Sequence, residues 1–255
     1  MTETTHPIRI SVQIKPQHAT YAQFRDAAKR AEALGVDTIY TWDHFFPLSG
    51  DPNGAHFECY TLLAALAEVT ERPTLGAMVT CNSYRNPNLL ADMARTIDHI
   101  SGGRFVLGIG SGWAERDYFN YGYEFGTAAS RLKDLARDLP IIEERLGKLN
   151  PGPVNDKLPI LIGGSGEKVT LRLVAKHADI WNIIAAPDEA IRKAAVLDEW
   201  CAKLDRDPAT IERQVMINPQ RVASADQYLA GGFTHLLIGI DGPDYDTEHL
   251  EKLLA

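Results

Sequence analysis

Short apolar runs and stretches of helical periodicity alternate along this chain eight times. Ile8–Ile14 alternates apolar and polar positions as a strand does. Phe24, Ala27, Ala28, Ala31 and Leu34 then fall at three- and four-residue spacing, with Gly35 placed to end a helix. Thr38–Trp42 predicts a second strand, and Tyr60, Leu63, Leu66, Ala67 and Thr70 a helix that stops before Pro73. Thr74–Val79 reads as strand three, followed by a helix carrying Leu89, Leu90, Met93, Ala94, Ile97 and Ile100. Arg104–Ile109 is strand four, and a helix from about Arg131 to Leu149 follows, in which Pro140 predicts a kink. Strands five to eight fall at Pro159–Ile162, Ile180–Ile184, Val215–Ile217 and His235–Ile240. Between and after them lie helices through Leu171, Val174 and Ala175, from Ala190 to Leu204, at a stub near Ala225–Ala230, and at Leu250, Leu253 and Leu254.

Eight strand–helix units predict a parallel (β/α)8 TIM barrel, with an open doubly wound sheet as the structural alternative. The strands are short and β-branched, as when both sheet faces are buried, and right-handed crossovers leave few topologies. At 255 residues the chain exceeds one average domain, yet barrels of about 250 residues are single domains. With no linker or repeat in the pattern, residues 1–255 are read as one domain.

Composition narrows the class further. A chain 45% hydrophobic and 24% charged, with mean hydropathy −0.19, is an ordinary globular one. No apolar run approaches the ~20 residues that a membrane-spanning helix needs. Met1–His6 lacks a basic start and an apolar core, so no signal peptide is expected. A net charge of −8 argues against a general nucleic-acid binder. Cys59, Cys81 and Cys201 are too scattered for a disulfide framework or zinc site, and the histidines show no ligand spacing, so no metal is expected. The expectation is a cytoplasmic enzyme acting on a small molecule, with neither nucleic acid nor membrane as partner.

In such barrels the chemistry sits where strands end at the C-terminal face. Strand one leads to Lys15 and Gln17, and strand two to Asp43 and His44. Strand three leads to Thr80 and Asn82, strand four to Gly110, Ser111, Gly112 and Trp113, and strand five to Gly163, Gly164, Ser165 and Gly166. Asn182, Asn218 and Asp241 follow the last three strands. A glycine run between strand and helix offers backbone N–H groups and the helix's positive end to a phosphate; the alternative is a tight turn with Ser165 as helix cap. His44 offers an ionisable imidazole for proton transfer, against a histidine merely satisfied in its loop. Neighbours on a strand point to opposite sides, so Asp43 need not touch it. His56 and Glu58 form a second polar pair above the pocket, or Glu58 only favours the start of the second helix. Residues 113–130, rich in aromatic side chains, read as a long loop that covers the site or packs on the barrel or a second subunit. The Gly108–Trp113 run lacks the third glycine and following helix of a dinucleotide fingerprint, and Ser111 lacks a nucleophile elbow. Lys15 is the one strand-end lysine for Schiff-base chemistry.

The runs Gly35–Phe45, Leu75–Pro87, Leu89–Trp113, Pro159–Gly166 and Ala175–Asn182 together resemble the bacterial luciferase-like monooxygenase superfamily, in particular its coenzyme F420-dependent branch. The resemblance implies a barrel with a flat deazaflavin, or alternatively FMN, across its C-terminal mouth, and a homodimer. It implies that His44, with Asp43, lies by the redox-active ring, and that Met78-Val79-Thr80 holds a non-proline cis peptide backing it. It also implies that Asn82 and Gly110–Gly112 line the cofactor site, that Gly163–Gly166 clamps the phosphate, and that Trp113, His56 and Glu58 border the substrate pocket. Sugar-phosphate dehydrogenases of the superfamily carry glutamate where Trp113 stands, which sets this chain apart from them. Hydride transfer to or from an organic substrate is the activity implied for F420. Oxygen chemistry is implied for FMN, and cofactor binding without catalysis is the third reading.

Overall fold

The apolar runs pair side by side into one closed, parallel sheet. In the computed structural model, which describes residues 7–255, the strands are β1 (Arg9–Ile14), β2 (Thr38–Thr41), β3 (Thr74–Ala77), β4 (Thr80–Cys81), β5 (Phe105–Gly110), β6 (Ile160–Gly163), β7 (Ile180–Ile183), β8 (Glu212–Ile217) and β9 (His235–Ile240). The reading of Met1–His6 lies outside the described residues. β3 and β4 are two halves of one stave, separated by the cis peptide Met78–Val79, so eight staves form the barrel. It closes where Leu75 of β3 faces Phe105 of β5 and where β1 runs beside β9 from Arg9↔His235 to Ile14↔Ile240. The (β/α)8 architecture expected from the sequence is therefore the observed one.

Around the barrel lie α1 (Tyr21–Leu34), α2 (Cys59–Val69), α3 (Pro87–Ile100), α4 (Glu115–Tyr121), α5 (Ala128–Leu146), α6 (Thr170–His177), α7 (Pro187–Lys203), α8 (Ala225–Ala230) and α9 (Glu248–Leu254). Helix ends follow from sequence chemistry. Thr20 and Gln23 form a capping box at the start of α1, and Gly35 closes that helix in the left-handed conformation. α5 runs on through Pro140, which leaves the fourth carbonyl before it without its usual helical donor. Among the described residues no helix is long and apolar enough to cross a membrane.

Two apolar layers hold the barrel. Phe24, Ile39, Leu63, Leu135 and Trp181 belong to the layer between strands and helices, while Tyr40, Met78, Val106, Leu161, Ile180 and Leu237 fill the barrel itself. A polar chain threads this second layer. Ser11 Oγ lies 2.5 Å from His235 Nε2, Gln214 Nε2 lies 2.9 Å from the same nitrogen, and Asn182 donates to Gln214 at 2.8 Å. Buried polar groups are tolerated only when paired, and this chain pairs them from the barrel floor up to Asn182 at the mouth.

Residues 113–130 are not the featureless loop that the sequence predicts, since α4 lies within them. Tyr118 is buried beside Cys81 and Tyr84, with Phe45, Tyr123 and Phe125 packed on that cluster. Arg131 fastens both ends of the segment, donating to the carbonyls of Gly112 at 3.1 Å and Phe125 at 2.8 Å.

Candidate active site

The C-terminal mouth of the barrel holds a cleft of about 590 Å³, within the range of small-molecule and cofactor sites. Its floor is formed by Met78 and Val79, with Gly110 and Gly163 beside them. A Cβ at Gly110 would stand 2.8 Å from Val79 Cγ2, and one at Gly163 2.9 Å from Val79 Cγ1, so the two glycines let Val79 lie low and keep the floor flat. Gly112, at φ +80°, leaves room for the Tyr118 hydroxyl, which a Cβ there would meet at 2.1 Å.

The glycine turn after β6 lines one end of the cleft through Gly163, Gly164 and Ser165. Asn182 O accepts from the amide of Gly164 at 3.0 Å, and Trp181 Nε1 donates to Gly164 O at 2.8 Å, which fixes the turn. Among the described residues no protein acceptor meets the amides of Ser165 and Gly166. Helix α6 begins only at Thr170, with Val169 at its cap position. Ser165 is thus not a helix cap, and any anion held here would be met by loop amides rather than by the first turn of the helix. Gly166 does not reach the cleft lining.

His44 stands at the other end. Its Nδ1 lies 2.7 Å from Asp117 Oδ2, and Asp117 also accepts from the Tyr84 hydroxyl at 3.1 Å and the Phe45 amide at 3.3 Å. Burial, joined by the negative charge of neighbouring groups, pushes the Tyr84 phenol well up, so it remains a donor. With Nδ1 engaged by a carboxylate that is only 2% exposed, His44 Nε2 is left without a protein partner among the described residues. The imidazole is flanked edge-on by Trp42 and Trp113, ring centroids 5.8 and 5.4 Å away.

Several residues expected at the site are placed elsewhere, each for a local reason. Asp43 borders the cleft, but its carboxylate takes Arg85 at 2.6 and 2.9 Å and the Cys81 amide at 3.0 Å, and does not touch His44. Burial opposes the charge of Arg85, yet the Asp43 carboxylate outweighs it and holds the guanidinium firmly protonated. Asn82 turns away from the cleft to donate to Asp138 at 2.8 Å. His56 sits behind Trp42, accepting its indole N–H at 2.9 Å, and burial draws its pKa down to about 4. Glu58 caps α2 by accepting from the amides of Tyr60 and Thr61 and also takes Arg85 at 2.8 Å. Burial alone would raise the Glu58 carboxyl, but those hydrogen bonds and Arg85 hold it below the usual range. Neither His56 nor Glu58 lines the cleft. Thr80, Ser111 and Trp113 do line it, as do Lys15 and Asn182.

Asp117, Gln13, Leu48, Ile184 and Met216 were not legible as site residues. For Asp117 a signal existed: Glu115 and Asp117 place acidic side chains in the first turn of a short helix closed by Gly122. Gln13 lies on β1 with its side chain donating to the Met78 carbonyl at 2.8 Å, a partner 65 residues away.

Comparison with known proteins adds the following. The family model for luciferase-like monooxygenases matches residues 2–230. An uncharacterized protein of Mycobacterium tuberculosis is 24% identical over 261 residues, covering 90% of this chain and 92% of that protein. An F420-dependent glucose-6-phosphate dehydrogenase of Microbacterium testaceum is 27% identical over 222 residues, 79% of this chain and 65% of that one. Among solved structures, an F420-dependent secondary alcohol dehydrogenase in complex with an F420-acetone adduct superposes with a TM-score of 0.85 at 15% identity, over 97% of this chain and 99% of that one.

Proposed function

The chain belongs to the luciferase-like monooxygenase family, and on that premise we propose that it is an oxidoreductase using coenzyme F420 to move a hydride to or from a small organic substrate. The observation that carries this reading is the layout of one cleft: a flat floor of Val79 between Gly110 and Gly163, the unpaired Ser165 amide at one end and an imidazole at the other. A planar ring suits that floor, and the Ser165 amide in the glycine turn suits a phosphate oxygen. F420-dependent enzymes among the relatives and structural neighbours support the choice of cofactor. Bound there, a deazaflavin supplies or accepts hydride, its carbon replacing the reactive N5 of a flavin.

The protein's own part is positioning and proton handling. Asp117 accepts from Nδ1–H of His44 and so fixes the tautomer in which Nε2 carries a lone pair, ready to accept the proton of a substrate hydroxyl or, in the reverse direction, to return it to a carbonyl oxygen. Trp42 and Trp113 pack edge-on against the imidazole. Asp43 is a positioning residue that anchors the strand end to Arg85 and the Cys81 amide.

Titrating the purified protein separately with F420 and FMN, following cofactor fluorescence, tests the proposal. Saturable binding of F420 with little affinity for FMN is expected, and selective binding of FMN would overturn it in favour of oxygen chemistry. His44→Ala is expected to bind F420 as the parent does and to lose turnover. F420 binding with no turnover of any donor or acceptor by the parent would leave a cofactor carrier instead.

A further inference from the structure

We propose that the His44 end of the cleft selects an uncharged alcohol or carbonyl compound with an apolar body, and rejects sugar phosphates and carboxylates; this inference rests on the F420-dependent reading and gives it a substrate class.

The inventory of polar atoms at that end carries it. Trp42 spends its indole N–H on His56, behind the cleft wall, so the wall itself is aromatic surface. The low pKa of buried His56 keeps that acceptor lone pair available. The Tyr84 hydroxyl is spent on Asp117, and the Thr80 hydroxyl lies 2.7 Å from that of Tyr60. What remains among these side chains is His44 Nε2 and the indole N–H of Trp113, one acceptor and one donor. That pair, with the Ser111 hydroxyl that also lines the cleft, suits a single hydroxyl or carbonyl oxygen.

The charges say the same. Lys15 is the one cation lining the cleft among the described residues, and its Nζ lies 2.7 Å from Asp241 Oδ2, with Gln17 donating to the other oxygen of that carboxylate at 3.3 Å. Arg85, just behind the lining, is shared between Asp43 and Glu58. A substrate phosphate or carboxylate entering here would lose water and find no free cation. Meanwhile Leu48 and Trp113 border the cleft at 41% and 65% exposure, apolar surface that a substrate body would cover.

The test begins with F420 affinity measured on the parent and on Trp113→Glu, expected to agree within twofold. With F420 in saturating amount, 2-butanol, cyclohexanol and 1-phenylethanol are compared with glucose 6-phosphate and lactate, by steady-state change in F420 absorbance and by calorimetric binding. At least one neutral alcohol should bind and turn over with kcat/KM 100-fold or more above either anion. Trp113→Glu should lower that alcohol's kcat/KM tenfold or more. Absence of both heat and turnover with all three alcohols would overturn the proposal, as would an anion used as well as they are, or an unchanged preference in Trp113→Glu. Failure of F420 to bind would remove the reading beneath it, whereas F420 binding with sugar-phosphate turnover would remove this inference alone.

Discussion

Replacing Asp117 by asparagine separates its charge from its shape. In the parent, Oδ2 takes His44 Nδ1 and the Tyr84 hydroxyl while Oδ1 takes the Phe45 amide. An amide has one acceptor oxygen for these donors. With that oxygen toward His44, its NH2 faces the N–H of Phe45, leaving two donors opposed in a site shielded from water. Flipped, its NH2 faces His44 Nδ1 and draws the imidazole into the other tautomer, placing a proton on Nε2 where the base needs a lone pair. A hydrogen bond to a charged group is worth about 1.5–3 kcal/mol. At one decade per about 1.4 kcal/mol, kcat/KM should fall roughly 10- to 150-fold, with F420 affinity unchanged. The buried mismatch should also lower Tm, by about 2–4 °C per kcal/mol in a chain of this size. Steady-state kinetics, calorimetry and ¹⁵N spectra of labelled histidine read the three effects, and the last reports the tautomer directly. A variant whose His44 keeps Nδ1–H and yet loses activity, or changes tautomer and keeps activity, would refute the reasoning.

Two further outcomes follow from the geometry. Gly163→Ala places a methyl 2.9 Å from Val79 Cγ1, an overpacking of about 1–3 kcal/mol. It should weaken F420 binding about tenfold, with Val79→Ala in the same chain restoring most of the affinity; unaltered binding in the single variant would remove Val79 from the ring floor. His56 has its pKa drawn down to about 4 from an ordinary 6.5, first by burial and then by the charge of His44. Between those values the unfolded chain binds the proton and the folded chain refuses it, so stability rises with pH through this window and is lost as pH falls toward about 4. His56→Gln, which still accepts from Trp42, should flatten that part of the dependence in urea unfolding at pH 7 and pH 5; parallel slopes for the two proteins would contradict it.

The barrel was legible because nearly every stave is buried and leaves a short apolar run, whereas the polar Glu212-Arg213-Gln214 start of β8 escaped because the apolar pattern begins only at Val215. β9 and α8 fall at the residues that the periodicity predicts, His235–Ile240 and Ala225–Ala230. α4 escaped because its seven residues carry no apolar stripe: Tyr118 is buried, while Phe119 is 85% exposed and Tyr121 faces outward. At the site, strand-end position identified His44, but the carboxylate that engages it lies 73 residues away. The resemblance paired Asp43 with His44, whereas the Asp43 carboxylate engages Arg85, as the alternation of strand side chains allows. His56 and Glu58 mark the opposite error. Both are polar and near the mouth, yet His56 accepts from the back of Trp42, a relation that appears only once the chain is packed, and Glu58 takes the helix-start role that the sequence offered as its alternative.

The segment between Gly112 and Arg131 carries two functions four positions apart. Trp113 lines the cleft and Asp117 engages His44, which the proposed function makes a substrate wall and the partner of the base. Both ride on a stretch that Arg131 closes on itself at Gly112 and Phe125, and that is held to the barrel mouth by the Tyr118, Tyr123 and Asp117 hydrogen bonds and a stack of aromatic rings, outside the hydrogen-bonded staves. An exchange of this one stretch between related barrels would therefore transfer a substrate wall and its matched base partner as a unit. Selectivity and proton chemistry would then change in step, while the cofactor floor stayed as it was.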